Sequence, residues 1–109
     1  MDQQLGQFEM VVRRDGVRAS ATVILRGELD LHGAGILGDR VADLIEWGVP
    51  AIEIDASELA FIDSSGLKAL LDARQAAEDA RVEFSVRSAS ARLVWVTNVT
   101  GMSDLLLSA

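Results

Sequence analysis

The chain has no cysteine, a single histidine, a single lysine and a single proline in 109 residues. Without cysteine, no disulfide and no thiolate chemistry is available. No apolar run approaches the roughly 20 residues that cross a bilayer. The first ten residues lack the basic start and apolar middle of a secretion signal. We therefore expect a cytoplasmic protein that neither enters nor contacts a membrane.

Charge of one sign is also scarce. The net charge is −7, Lys68 is the only lysine, and the remaining basic residues are arginines scattered along the chain. Such a surface repels a phosphate backbone, so nucleic acid is a poor partner and a basic region of another protein is a better one. The length of 109 residues predicts one domain over residues 1–109, and because half of the residues are hydrophobic the chain is expected to fold.

Alternating apolar and polar residues predict four strands. Residues 8–14 and 17–25 alternate on either side of Asp15-Gly16, a strong hairpin turn. Residues 51–55 and 81–87 alternate in the same way, and Val82, Phe84 and Val86 are expected to be buried. Residues 102–107 are interpreted as an edge strand or a last helical turn.

Helical spacing predicts three helices. The first covers residues 35–48 and is closed by Gly48 and Pro50, and the second covers 65–80. The third covers 88–101, with Ser88 or Ser90 as its cap and Gly101 as its stop. Because each strand carries charge on one side, the fold class is predicted to be α/β: a single-layer mixed sheet of four to five strands with helices on one face.

The segment GAGILG, residues 33–38, matches a dinucleotide-binding glycine pattern, with Glu53 and Asp55 about 20 residues further on. The match is weak, because GELDLH separates the strand from the first glycine and the chain is short for a two-halved dinucleotide fold. The plainer interpretation is a flexible loop that enters a frayed helix. No cofactor is expected.

Two other chemistries have candidate residues. His32 would be the base for Ser64 or Ser65 in a hydrolytic triad, but no nucleophile elbow is present. Asp30, Asp55 and Asp63 could meet at strand ends and hold magnesium, as in a receiver domain. Such a domain also needs a lysine late in the chain, and Lys68 is badly placed for that. We expect neither a catalytic residue nor a metal site.

The stretch FIDSSGLKALL, residues 61–71, places an aspartate, two serines and a glycine between a strand and a helix. A helix cap needs one such residue, and either Asp63 or Ser64 could provide it. Gly66 is interpreted as leaving open space for a close approach by another molecule. The residues alone leave a plain cap and a binding site as alternatives.

This stretch, together with GELD at residues 27–30, resembles the STAS domain, and within that family the anti-sigma factor antagonists of bacterial partner switching. The order of predicted elements fits the family along nearly the whole chain.

The resemblance implies a non-enzymatic regulator of transcription. Such a protein binds an anti-sigma factor that is itself a serine kinase, and so releases a sigma factor. The kinase phosphorylates the first serine of the motif, Ser64 here, and a phosphatase reverses the modification. The implied partner-binding residues are Gly27, Glu28, Asp30, Asp63, Ser64, Ser65 and Gly66.

Two segments depart from the family pattern: the first helix is rich in glycine near its start, and VWVTNV carries Trp95 and Asn98. STAS domains also occur in lipid-transport complexes and attached to anion transporters. The alternative function is therefore a subunit of another complex, such as a lipid-transport ABC system, in which Ser64 is not regulated by phosphorylation.

Overall fold

Four strands and four helices make up the fold in a computed structural model that describes residues 7–14 and 20–107. In chain order they are β1 Glu9–Arg14, β2 Ala21–Leu29, α1 Leu31–Glu46, β3 Ala51–Ile62, α2 Ser64–Asp79, β4 Glu83–Ala89, α3 Ala91–Thr100 and α4 Ser103–Leu106. None of the helices within these ranges is long and apolar enough to cross a bilayer.

The strands form one mixed sheet in the order β1-β2-β3-β4. Strand β1 runs antiparallel to β2, whereas β2–β3 and β3–β4 are parallel pairs joined through helices. The predicted α/β class with a mixed sheet is confirmed. The predicted Asp15-Gly16 turn lies outside the described residues.

Because side chains alternate along each strand, one face of the sheet is buried and apolar and the other carries charged residues. Val23, Leu25, Ile52 and Ile54 are fully buried on the face that packs against α1 and α2. The opposite face carries two ion pairs, Arg26–Glu58 and Arg87–Glu53, each with an N–O distance of 3.2 Å. Exposed pairs of this kind contribute at most about 1 kcal/mol each, so burial on the other face dominates stability.

The edge strand β4 is less buried than predicted. Val82, just before the strand, is buried, but Phe84 and Val86 are only half-buried. They face the core beside Ile52 and Ile54, their partners on β3, and no further strand pairs with β4 within the described part of the chain.

Helix ends follow side-chain caps more closely than periodicity. Ser90 caps α3 by accepting a hydrogen bond from the Leu93 amide at 3.2 Å, and Gly101 ends it in the left-handed conformation at φ 77°. Ser88 lies in β4 instead. Residues 103–106 form a short helix, so the edge-strand alternative for this segment is wrong.

Strand β3 is more than twice as long as the predicted five residues. It contributes two more residues than β2 to their pairing, one between Asp55 and Glu58 and one between Leu59 and Phe61. These bulges break the alternation, and Ser57 and Glu58 are both exposed. The extension carries the chain to Ile62, directly before the serine motif.

The first bulge is held by the carboxylate of Asp55. Its Oδ1 accepts hydrogen bonds from Ser57 Oγ at 2.7 Å and from the Ser57 amide at 3.0 Å. These two bonds, with smaller contributions from Arg87 and Arg26, lower the pKa of Asp55 below its usual value, against the opposing effect of burial.

We predict that Ser57→Ala raises the pKa of Asp55, because the hydroxyl that stabilises its ionised form is removed. A group whose pKa is lowered on folding stabilises the protein above its unfolded pKa, and this contribution is lost as the pH falls through the folded pKa. The stability difference between wild type and variant should therefore be larger near neutral pH than in acid. Carboxyl NMR titration and urea unfolding measure both effects, and an unchanged titration of Asp55 would contradict this assignment.

Candidate functional site

The site is built where two neighbouring parallel strands end together. Leu29 of β2 pairs with Ile62 of β3, and the Asp63 amide donates to the Leu29 carbonyl at 3.4 Å. One residue after this pair, each strand passes through an aspartate directly into a helix. The N-termini of α1 and α2 therefore lie side by side at one edge of the sheet.

Both helices begin with the same Asp-x-x-Gly turn. Asp30 Oδ1 accepts from the Gly33 amide at 3.1 Å, and Asp63 Oδ1 accepts from the Gly66 amide at 3.0 Å. Caps of this type contribute typically about 1 kcal/mol. The cap of α2 is thus Asp63, which leaves Ser64 as the first helical residue and without a capping role.

Gly66 serves internal packing. The residue is buried, and a Cβ at this position would overlap the carbonyl oxygen of Leu29 and lie 2.8 Å from Cγ1 of Ile62. The interpretation of Gly66 as open space for an incoming molecule is therefore wrong. Glycine is required here because the first turn of α2 presses against the end of β2.

The two serines differ in exposure. Ser64 is exposed, and its side chain has no hydrogen-bond partner among residues 7–14 and 20–107. Ser65 is half-buried and lines the groove between α1 and α2. Of the pair, Ser64 presents the accessible hydroxyl.

The motifs GELD and DSSG, each of which supplies a cap aspartate, are adjacent in space. Glu28 pairs with Phe61 across β2 and β3, and Gly27 stands at a register shift between these strands with φ 86°. The structure therefore brings the predicted partner-binding residues together at one end of the sheet. Gly27, Glu28, Asp30, Asp63 and Ser65 are half-buried, Gly66 is buried, and Ser64 is exposed.

An apolar groove of about 460 Å³ runs from this site between α1 and α2. Its walls are mostly small side chains, and Gly35 and Gly38 have no atom within 4 Å of where a Cβ would stand. Leu31 and Ser65 line it beside Lys68, whose Nζ donates to Asp72 at 2.7 Å. The sequence did not predict this groove, because it depends on which helix faces meet.

The dinucleotide alternative is contradicted by the position of GAGILG. Residues 33–38 lie inside α1, which begins at Leu31, four residues before the predicted start. Gly33 is buried, and a Cβ at this position would lie 3.0 Å from Phe8 and 3.2 Å from Leu29. Gly33 therefore packs against these two side chains and is not open to a ligand. Both the phosphate-binding loop and the flexible-loop interpretation are wrong.

The other chemistries gain no geometric support. Within residues 7–14 and 20–107, no three His, Asp or Glu side chains lie close enough together to hold a metal ion. Asp30 and Asp63 cap separate helices, whereas Asp55 bonds Ser57 in the middle of β3. His32 is exposed in the first turn of α1 and bonds neither serine in this part of the chain.

A second exposed cluster lies beside the end of β3. The Arg92 guanidinium stands 5.4 Å from the ring centre of Phe61 and 5.6 Å from that of Trp95. These three residues are called the aromatic stack below. Arg92 and Trp95 are three residues apart on a predicted helix, so contact between them could be expected from the sequence. Only the fold brings Phe61 to them.

The family model described as "Mlab, STAS domain" matches residues 12–108. The chain belongs to the STAS domain family. No curated protein matches it.

Solved structures support the same fold for this STAS domain. The unphosphorylated anti-sigma factor antagonist SpoIIAA is 20% identical with a TM-score of 0.77, covering 93% of this chain and 88% of SpoIIAA. The phosphorylated form of Bacillus SpoIIAA is 22% identical at 0.72, over 93% and 91%. An anti-sigma factor antagonist from Mycobacterium paratuberculosis is 21% identical at 0.75, over 93% and 84%.

The fold also occurs in another setting. The structure of SLC26A9 matches this chain at 13% identity and a TM-score of 0.61. The match covers 78% of this chain and 16% of the SLC26A9 chain. At such identities the likeness establishes the fold and leaves the biochemical role to the site.

We predict opposite stability effects from alanine at two glycines of this site. Gly66→Ala should be strongly destabilising, because its Cβ has no room against the Leu29 carbonyl. Gly38→Ala should stabilise by about 0.5–1 kcal/mol, because alanine is the better helix former and the position is open. Urea unfolding of both variants measures the contrast, and a Gly66→Ala protein as stable as wild type would contradict the packing role.

Proposed function

We propose that this STAS domain is an anti-sigma factor antagonist, which binds a serine-kinase anti-sigma factor and is switched off by phosphorylation of Ser64. The observation that carries the proposal is the exposed Ser64 hydroxyl at the first position of α2, next to the cap residues Asp30 and Asp63. A kinase needs an accessible hydroxyl, and Ser65 is the less accessible of the pair.

Phosphorylation would act through charge at the interface. A phosphate adds a charge of roughly −1.5 to −2 at neutral pH. It would join the carboxylates of Asp30 and Asp63 on a chain that already carries a net charge of −7. A docked kinase would meet both added bulk and repulsion, so affinity should fall without a change of fold.

The domain itself should tolerate the phosphate. The first amides of a helix have no intrahelical acceptor, and the positive end of the helix dipole favours an anion. Lys68 lies one turn after Ser64 on the same face of α2, and its pair with Asp72 is largely exposed. Lys68 is therefore available to a phosphate on Ser64.

In this proposal the domain catalyses nothing and carries no cofactor. The kinase supplies the nucleotide and its metal, a phosphatase restores Ser64, and all three proteins work in the cytoplasm. The relative SpoIIAA, solved in both an unphosphorylated and a phosphorylated form, supports phosphorylation of a protein with this fold.

The test is incubation of the purified protein with candidate anti-sigma kinases and ATP, followed by mass mapping of the phosphosite. We expect one phosphate, on Ser64, and none in Ser64→Ala. Binding of the same kinase is then compared among the wild type, Ser64→Ala, Ser64→Asn and Ser64→Asp.

Ser64→Asp should bind at least 10-fold more weakly while its melting temperature is kept or raised, because an acid is favourable at a helix start. Ser64→Asn is the matched control, with nearly the same size and no charge, and should bind better than Ser64→Asp. Equal binding by Ser64→Asp and wild type would refute the charge mechanism.

A second candidate is a subunit of another complex, such as a lipid-transport ABC system. It is favoured by the description of the matching family model, which names Mlab instead of an antagonist. In that case Ser64 would be a contact residue that stays unmodified.

Phosphate analysis of the protein isolated from its own cells separates the two candidates. Phosphoserine at position 64 supports the antagonist. Unmodified Ser64 under all growth conditions, with co-purification of an ATP-binding transport subunit, supports the second candidate.

A further inference from the structure

We propose that the aromatic stack of Phe61, Arg92 and Trp95 is a docking surface for the same kinase. The inference rests on the proposed function and adds a second contact region to the one around Ser64. It assigns a role to α3, which the motifs GELD and DSSG do not include.

The aromatic stack is accessible from solvent. Trp95 keeps 57% of its surface exposed, and Val99, one turn further along α3, keeps 61%. Phe61 is half-buried and Arg92 is exposed. Tryptophan and arginine are the residues most enriched among those that dominate binding energy in protein interfaces.

Arg92 adds a charge of the less common sign. Its guanidinium forms no ion pair with a carboxylate in residues 7–14 and 20–107, and instead lies within cation–π distance of both aromatic rings. Cation–π attraction favours this position of the guanidinium, while its N–H donors can still reach a carboxylate of a partner. The partner surface that fits is therefore an apolar pocket with an acidic rim.

The aromatic stack begins close to Ser64 in the chain. Phe61 precedes Ser64 by three residues, so their Cα atoms are at most about 11 Å apart. Arg92 links Phe61 to Trp95 through distances of 5.4 and 5.6 Å. A standard interface covers about 800 Å² on each partner, equivalent to a disc of roughly 16 Å radius, so a disc centred on Ser64 reaches Phe61. An interface that extends from Phe61 along α3 would also cover Arg92 and Trp95.

The fold provides a matched control in Trp47. This residue is 59% exposed, almost the same as Trp95, but it follows the last turn of α1. Sixteen residues of helix place it about 24 Å from the N-terminal end where Asp30 lies. A kinase centred on Ser64 should leave Trp47 uncovered.

The experiment measures binding and phosphorylation of the full chain by the purified kinase that modifies Ser64 with ATP. We expect Trp95→Ala and Arg92→Ala each to weaken binding at least 10-fold and to raise KM with kcat nearly unchanged, because the stack does not touch the reacting hydroxyl. Trp47→Ala should stay within twofold of wild type, and Trp95→Phe should recover most of the lost affinity. Circular dichroism and thermal unfolding verify that each variant is folded.

Wild-type affinity in Trp95→Ala, with Ser64 still phosphorylated, would overturn the docking surface and leave the proposed function standing. Equal losses in Trp95→Ala and Trp47→Ala would also overturn it, because the effect would not be local to the stack. If no kinase modifies Ser64 in the wild type, the proposed function fails and the docking surface fails with it.

Discussion

The close contact between the end of β2 and the first turn of α2 is the constraint on which the site depends. Gly66 presses against the Leu29 carbonyl, and the same carbonyl accepts from the Asp63 amide. A backbone group buried at such a junction must be paired, so the position of α2 is set by hydrogen bonding as well as by packing. The start of α2 is therefore held to the same strand end that leads into α1.

This constraint gives structural roles to two residues of the four-residue motif. Asp63 caps the helix and Gly66 permits the contact, so both are occupied by the fold. Ser64 lies between them, exposed and held on a rigid element, which is the arrangement that a modification site needs. In the proposed function, a charge added there would meet a helix start that accommodates it and a partner surface that does not.

Sequence periodicity predicted the elements well and their ends less well. Alternation located β1 and β2, and Ser90 and Gly101 marked the ends of α3. It missed the second half of β3, because two bulges place Ser57 and Glu58 out of phase. The helical spacing also placed the start of α1 too late. Gly33 and Gly35 are typical of loops, although Asp30 caps a helix that contains both.

The sequence by itself determined the α/β class and the presence of a helix cap at the serine motif, because these depend on local spacing and side-chain chemistry, and its resemblance to the STAS family singled out Ser64. Only the tertiary structure decided that Gly66 is a packing residue and that Phe61 meets Arg92 and Trp95. The same holds for the groove between α1 and α2. The physical reason is that these features join residues far apart in the chain, and their contacts exist only once strand register and helix packing are set.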